Sequence, residues 1–271
     1  MTPLTAEAPD TNPIRQLAAL FRMELTLLLR NRAATLLVAV LPLPIAYVRL
    51  RGYDVAAAGE LAAVTRVAGL FGLLAVVFVH HHLVTVYATR RQELVLKRLR
   101  VGLPSGLTIL AGAASATVGL LFAQVLLIAA YGIGVLGIPM PANPVPVLLA
   151  LGLFGALMVT VSAAMSAVTR SSEAAMVTTF PTMGLFLATP GLLVPFGALP
   201  QRVEQIAWFG PVGPYTELVR NAWLGQDGSG ADLSFAAGLL DALPGLAVMS
   251  GWVLLTWLLV KRYFRWEPRH G

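Results

Sequence analysis

The sequence contains no cysteine, and only 12% of its 271 residues are charged. The lack of cysteine excludes disulfide bonds, thiolate metal sites and cysteine nucleophiles. An ordinary soluble domain carries roughly twice this fraction of charged residues. So few charges cannot cover a water-facing surface, whereas 57% apolar residues and a mean hydropathy of +0.77 suit a lipid environment. We therefore expect an integral membrane protein.

The motifs of ATP hydrolysis and of common hydrolases are also missing. A phosphate-binding P-loop needs a lysine followed by serine or threonine, but the two lysines, Lys97 and Lys261, are each followed by arginine. Neither an HExxH metalloprotease motif nor a GxSxG serine-hydrolase motif occurs. The sequence predicts a chain that is not an enzyme and that binds no cofactor of its own.

Three consecutive histidines, His80, His81 and His82, raise the question of a metal site. Consecutive side chains on a helix point about 100° apart, so the three rings cannot converge on one ion. No Asp or Glu lies within ten residues of them. We therefore favour polar residues near the cytoplasmic end of a membrane span over metal ligands, and we expect no metal site.

The net charge of +6 and the pI near 10.2 would make nucleic acid a candidate partner for a soluble protein. Here the basic residues fall between apolar runs, which the positive-inside rule explains better. Basic patches interleaved with stacking aromatics are absent from the sequence, so we expect no nucleic-acid binding.

The start of the chain predicts a helix that lies along the membrane surface. Residues 1–13 form a polar lead-in that we expect to be disordered, and residues 14–32 form an amphipathic interfacial helix. Apolar residues recur there at spacings of three and four, while arginines fall on a different flank. The residues that define this helix are Arg15, Phe21, Arg22 and Glu24. The alternative is a simple extension of the first span.

Six apolar stretches predict an all-α, polytopic membrane domain with six transmembrane helices over residues 33–260. The stretches cover residues 33–48, 61–86, 107–136, 145–168, 175–194 and 242–260. Pro42 and Pro44 predict a kink in the first of them. Residues 261–271 are expected to form a cytoplasmic tail.

Six spans place both termini on the same side of the membrane. The face that holds the termini carries fourteen of the Lys and Arg residues and the other face carries five. This asymmetry predicts a cell-membrane protein with its N-terminus and C-terminus in the cytoplasm.

The charged stretch Tyr87 to Pro104 separates the second and third apolar runs. As a helix it gathers leucines on one face and basic residues on another, and Glu93 can pair with Lys97 four residues on. We interpret it as a cytoplasmic amphipathic helix that docks a partner protein. An ordinary basic loop attracted to anionic lipid is the alternative.

The apolar stretch from Pro195 to Asp232 is broken by prolines and glycines. Irregular backbone cannot lie in lipid with unpaired amides, so we expect short re-entrant or interfacial helices on the external side. Pro214 and Gly225 suit the start and the end of one such helix. The residues that mark this region are Pro200, Trp208, Pro211, Pro214, Tyr215, Arg220 and Trp223, of which the two tryptophans suit the headgroup level.

These two segments resemble the type-2 permease subunits of ABC transporters, in particular the antibiotic and drug exporters. ELVLKRLRVGLP, from Glu93 to Pro104, is similar to the cytoplasmic motif of that family, and PFGALPQRVEQIAWFGPVGPYTELVRNAWLG is similar to its external re-entrant region. The resemblance covers nearly the whole chain. Many members have glycine where this chain has Val95, a departure that leaves the subfamily and substrate open.

The resemblance implies a coupling helix that fits a groove on a separate ATP-binding cassette subunit, which binds ATP and Mg. The residues it implies for this contact are Arg91, Glu93, Leu94, Leu96, Lys97, Arg98, Leu99, Arg100 and Pro104. It further implies a second permease chain, identical or different, facing the first across the export path, with lipids around the pair.

The substrate is the least constrained feature. Charged rings are absent from the predicted spans, which favours a lipophilic or amphipathic compound such as an antibiotic or drug. Gln124, near the middle of the third span, is a candidate contact on the substrate path, although most such residues only hydrogen-bond neighbouring helices. Three alternatives stay open: an ABC exporter of lipid or polysaccharide, an ion-coupled secondary transporter or channel, and a membrane scaffold without transport.

Overall fold

The structure is a computed structural model, and it describes residues 13–93 and 106–264. Regular secondary structure within these residues is helical. The helices in chain order are α1 (Pro13–Arg30), α2 (Arg32–Leu50), α3 (Val55–Ala58), α4 (Glu60–Gln92), α5 (Gly106–Gly134), α6 (Pro144–Val168), α7 (Ala175–Leu187), α8 (Gln201–Trp208), α9 (Gly213–Leu224) and α10 (Phe235–Tyr263).

Five helices, α2, α4, α5, α6 and α10, are long and apolar enough to cross a membrane. The sequence prediction of these five is confirmed, but α4 runs to Gln92, six residues beyond the predicted end. Leu83, Tyr87 and Arg91 continue one buried face of this helix at a spacing of four residues. The first part of the charged stretch is thus the last turn of α4 and not a separate surface helix.

The predicted fifth span, residues 175–194, differs from the helix that forms. Helix α7 has 13 residues and contains Pro181, so it is about 20 Å long at ~1.5 Å per residue. From Ala188 the chain continues without regular helix, and an isolated bridge joins Pro190 to Val194. A helix of this length does not cross a hydrocarbon core of about 30 Å by itself.

Helices α6 and α10 run parallel to each other. Near their starts, Asn143 Nδ2 donates to the Phe235 carbonyl at 3.0 Å, and further along the hydroxyls of Thr160 and Thr256 are 2.7 Å apart. Because both helices start at the same end of the bundle, residues 169–234 must return the chain from one end to the other. We call the end with α1 and residue 93 the proximal end, and the end with residues 135–143 and 213–234 the distal end.

Helix α1 packs along α5 through glycines. A Cβ at Gly112 would lie 2.5 Å from Leu20 Cδ1, and one at Gly119 would lie 3.1 Å from the Phe21 ring. The absence of side chains at these positions therefore lets α1 lie close to α5. Gly112 and Gly119 are thus covered by α1 of the same chain.

At the site where the prolines predict a kink, α2 contains a π-helical turn, Leu36–Val40. Only Leu41 separates this turn from Pro42. The Leu41 amide reaches back five residues to the Leu36 carbonyl at 2.8 Å. Pro42 has no N–H, so the Val38 carbonyl lacks its usual partner. Gln124 Nε2 on α5 donates to that carbonyl at 2.7 Å.

Candidate functional site

An ion pair at the proximal end joins α1 to α4. The two terminal nitrogens of Arg90, Nη1 and Nη2, donate to the two carboxylate oxygens of Glu24, and both side chains are largely buried. A two-point contact of this kind fixes distance and orientation together. The predicted face of α1 is therefore divided: Glu24 points into the protein, while Arg15 and Arg22 are exposed and Phe21 packs on α5.

The neighbouring Arg91 is 1% exposed and reaches the end of α6. Its Nη1 donates to the Ser166 carbonyl at 2.6 Å, and its Nη2 donates to the Thr169 carbonyl. Carbonyls in the last turn of a helix have no intrahelical partner, and a positive charge there also suits the helix dipole. In the structure this side chain ties α4 to α6 inside the chain, and its contact with a partner ATPase stays a prediction.

Only the first part of the predicted coupling segment can be placed. Glu93 caps α4 as an exposed residue, with its amide bonded to the Thr89 carbonyl at 2.9 Å. The other predicted contacts, which are Leu94, Leu96, Lys97, Arg98, Leu99, Arg100 and Pro104, lie outside the described residues. The structure describes the residues just before this segment, which we call its base. There Arg90 bonds Glu24 of α1 and Arg91 bonds the end of α6.

A cavity of about 480 Å³ opens beside the ion pair, between α1, α2, α4 and α5. Its polar lining includes Glu24, Asn31, His82, Thr89 and Arg90, and its apolar lining consists mainly of leucines and alanines. The cavity thus has an apolar wall and a polar rim at the proximal end.

The histidines form hydrogen bonds between helices. His80 Nδ1 lies 2.8 Å from Ser162 Oγ on α6, and Nε2 lies 2.9 Å from Thr182 Oγ1 on α7. His81 Nδ1 lies 3.1 Å from Thr179 Oγ1. A π-helical turn, Ala75–His80, precedes them in α4. These contacts match the predicted polar packing role, and no metal-binding group occurs among the residues placed by the structure.

Gln124, the candidate substrate contact, is 5% exposed and is engaged with the backbone of α2. Its amide nitrogen serves the carbonyl that Pro42 leaves without a donor, and it also lies 3.3 Å from the Ala39 carbonyl. This arrangement corresponds to the interhelical role that the sequence also allowed. Nothing in it presents the amide to a substrate path.

The distal end is held together by close backbone contacts and aromatic stacking. A Cβ at Gly69 of α4 would overlap the carbonyl oxygen of Gly191, which itself has a φ of +91°. Tyr215 stacks on Phe154 of α6 with ring centroids 4.2 Å apart. Pro190, Gly191 and Leu192, together with α9, therefore pack against α4 and α6, so this part of the irregular backbone is covered by protein, whereas residues 195–198 are exposed.

Helix α9 starts and ends as the sequence predicts. Gly213 begins it, Pro214 occupies its first turn, and Gly225 ends it in the left-handed conformation with a φ of +70°. Pro200 likewise precedes α8. These boundaries follow from the fixed φ of proline and the conformational freedom of glycine.

The side chains of the distal region differ in their surroundings. Trp223 is 3% exposed and donates from Nε1 to the Pro139 carbonyl at 2.8 Å, so it packs inside the chain, and its place at the headgroup level stays a prediction. Trp208 and Pro211 are half-buried. Arg220 donates to Asn221 Oδ1 and lies over the Phe196 ring.

The pairing of Glu24 with Arg90 and the burial of Arg91 were not found from the sequence. A signal did exist, because Arg91 continues the buried stripe of Tyr87 and Val84 along α4. Arginines at the end of an apolar helix usually extend their charged groups to the water at the membrane surface. That interpretation was favoured over burial for Arg90 and Arg91.

Long apolar helices and irregular distal backbone packed inside the bundle define the class as a helical, multi-pass membrane protein. A family model described as ABC-2 family transporter protein matches residues 38–261. The chain therefore belongs to the ABC-2 family of transporter proteins, whose members form the transmembrane part of ABC transporters. Among curated proteins the comparison finds no match.

Proposed function

We propose that this chain is the permease subunit of an ABC exporter that moves a lipophilic or amphipathic compound, of the antibiotic or drug kind, out of the cell. Separate ATPase subunits dock on its proximal end in the cytoplasm and supply the energy. The observation that carries the proposal is the fixed base of residues 94–105, where Arg90 bonds Glu24 and Arg91 bonds the end of α6.

This base meets a physical requirement of ATP-driven transport. ATP can bias the permease only through interactions that differ between its two arrangements, so the docked segment must be attached to elements that move together. Attachment to both α1 and α6 links the segment to two elements that are far apart in sequence. A loop held only by its own two ends would transmit less of the partner's motion.

We also propose six crossings with both termini in the cytoplasm. The parallel arrangement of α6 and α10 supports this count, since the chain must return between them through α7 and the residues after it. The buried residues Pro190, Gly191 and Leu192 extend the short α7 as irregular backbone packed against α4. A second permease chain, identical or different, would face this one across the export path.

The test is reconstitution of the purified chain with candidate ATPase subunits in lipid vesicles. Exchanging Glu93 or Arg98 for Ala is expected to leave basal ATP hydrolysis and to reduce its coupling to export. Arg202→Ala, which removes an exposed charge in the first turn of α8, is the matched control. Full coupling in the double variant Glu93→Ala/Arg98→Ala would contradict the proposal, as would export at full rate without any ATPase.

A further inference from the structure

The distal end contains a second cavity that the proposed coupling does not use. Its volume is about 250 Å³, and it lies between α9, the start of α10 and the chain before α6. The side chains that give it chemical character are Asn143, Trp208, Glu217, Asn221 and Asp241. Lys, Arg and His are absent from the lining of this cavity.

The two carboxylates of the cavity are Glu217, which is half-buried, and Asp241, which is exposed. Neither Glu217 nor Asp241 accepts a hydrogen bond or forms an ion pair within residues 13–93 and 106–264. Arg220, one turn along α9 from Glu217, directs its guanidinium to Asn221 Oδ1 and to the Phe196 ring. Burial lowers the pKa of Arg220, and the charge of Glu217 acts in the opposite direction.

Asn143 supplies an independent observation that points to a ligand. Its side chain is 3% exposed, and its Nδ2 donates to the Phe235 carbonyl at 3.0 Å. Its Oδ1 is buried and accepts no hydrogen bond from any described residue. Buried amide oxygens are nearly always hydrogen-bonded, so this acceptor calls for a hydrogen-bond donor that the described residues do not provide.

The charge of the whole distal end has the same sign as the cavity. Residues 49–66 and 188–241 together carry seven carboxylates and five arginines, in a chain whose net charge is +6. Opposite charges attract more strongly in a partly buried cleft than in water. Trp208 adds an aromatic surface on which a cation can also be stabilised.

We propose that this cavity binds a protonated amine attached to an apolar group. The ammonium group lies between Glu217 and Asp241, one of its N–H groups donates to Asn143 Oδ1, and the apolar group packs against Trp208 and Leu218. The assignment of this amine as the exported compound rests on the proposed function. The binding site itself does not.

Three small probes separate the contributions to binding in the purified protein without an ATPase. Phenylethylammonium carries both charge and N–H, its trimethylammonium analogue carries charge alone, and propylbenzene carries neither. We expect the affinity to fall in this order, as measured by calorimetry in lipid nanodiscs. Equal affinity for phenylethylammonium and propylbenzene, or no binding of phenylethylammonium at all, would overturn the site.

Substitution tests the carboxylates. Glu217→Gln is expected to weaken phenylethylammonium binding by about ten-fold, as for a partly buried charge pair, and Asp241→Asn, at an exposed residue, by about two- to five-fold, with propylbenzene unaffected. Glu60→Gln is the matched control, because it removes the same charge from the distal end at an exposed residue outside the cavity. A loss in Glu60→Gln equal to that in Glu217→Gln would indicate a general surface potential and would overturn the site.

The same probes separate two claims: that the cavity binds an amine, and that this amine is the exported compound. In vesicles with the ATPase, phenylethylammonium is expected to stimulate ATP hydrolysis in the parent chain and to lose that effect in Glu217→Gln. Binding without any effect on hydrolysis would overturn the assignment of an amine as the exported compound and leave the binding site standing.

Discussion

Arg91 illustrates how one residue sets the geometry of the proximal end. A guanidinium that is 1% exposed needs its donors filled, and the last-turn carbonyls of α6 need donors. The two Nη groups of Arg91 and the Ser166 and Thr169 carbonyls therefore satisfy each other where the end of α4 meets the end of α6.

Replacing Arg91 with Met tests this role. The substitution keeps an unbranched side chain of similar length but leaves the Ser166 and Thr169 carbonyls without their donor, so the free energy of unfolding should fall by about 1–3 kcal/mol. Denaturant titration in detergent micelles measures this value. Arg170→Met removes an exposed charge nearby and should change it by less than about 0.5 kcal/mol. Equal effects of the two substitutions would contradict the interior role.

The fate of Gln124 was only half predictable from the sequence. Its depth in an apolar helix identified it as a polar residue that needs a partner. That partner is a carbonyl freed by Pro42 on another helix, and periodicity within one helix contains no information about which helices meet. Residue roles across helices are therefore the part of the site that sequence patterns leave open.

At the scale of elements, the five long helices were predicted because each is an apolar run that satisfies its own backbone. The end of α7 was misplaced by seven residues, because Ala188 to Val194 is as apolar as the helix before it. The Pro190-Gly191 dipeptide was the available signal for a break. Hydrophobicity alone cannot separate a helix from a packed turn.

The contact between α4 and the segment after α7 gives a prediction for a pair of glycines. Gly69→Ala should lower the free energy of unfolding by about 1–3 kcal/mol, because its Cβ would overlap the Gly191 carbonyl and backbone cannot rotate away. Gly152→Ala in α6, with open space around its Cβ, should be neutral or stabilising by up to about 1 kcal/mol.

Thermal or denaturant unfolding of both glycine variants in the same detergent provides the comparison. A Gly69→Ala protein as stable as Gly152→Ala would show that the close approach of the two backbones does not constrain the distal end.

At the scale of the whole molecule, the lack of cysteine makes topology directly measurable. A single cysteine at Ala231 in the distal loop should react with a membrane-impermeant maleimide in intact cells. One at Glu173, in the loop between α6 and α7, should react only after the membrane is opened. Both positions are exposed in the structure, so unequal labelling reports sidedness and not burial. The reverse pattern would invert the proposed orientation.

Helix α4 is continuous from Glu60 to Gln92 and is about 50 Å long at ~1.5 Å per residue. Near one end Arg91 bonds it to α6, and in its other half Gly69 contacts the backbone of Gly191. The π-helical turn Ala75–His80 lies between these two contacts. Because both contacts lie on one continuous helix, a displacement of its Arg91 end would be passed to the segment packed on Gly69, reduced by whatever bending the π-helical turn absorbs.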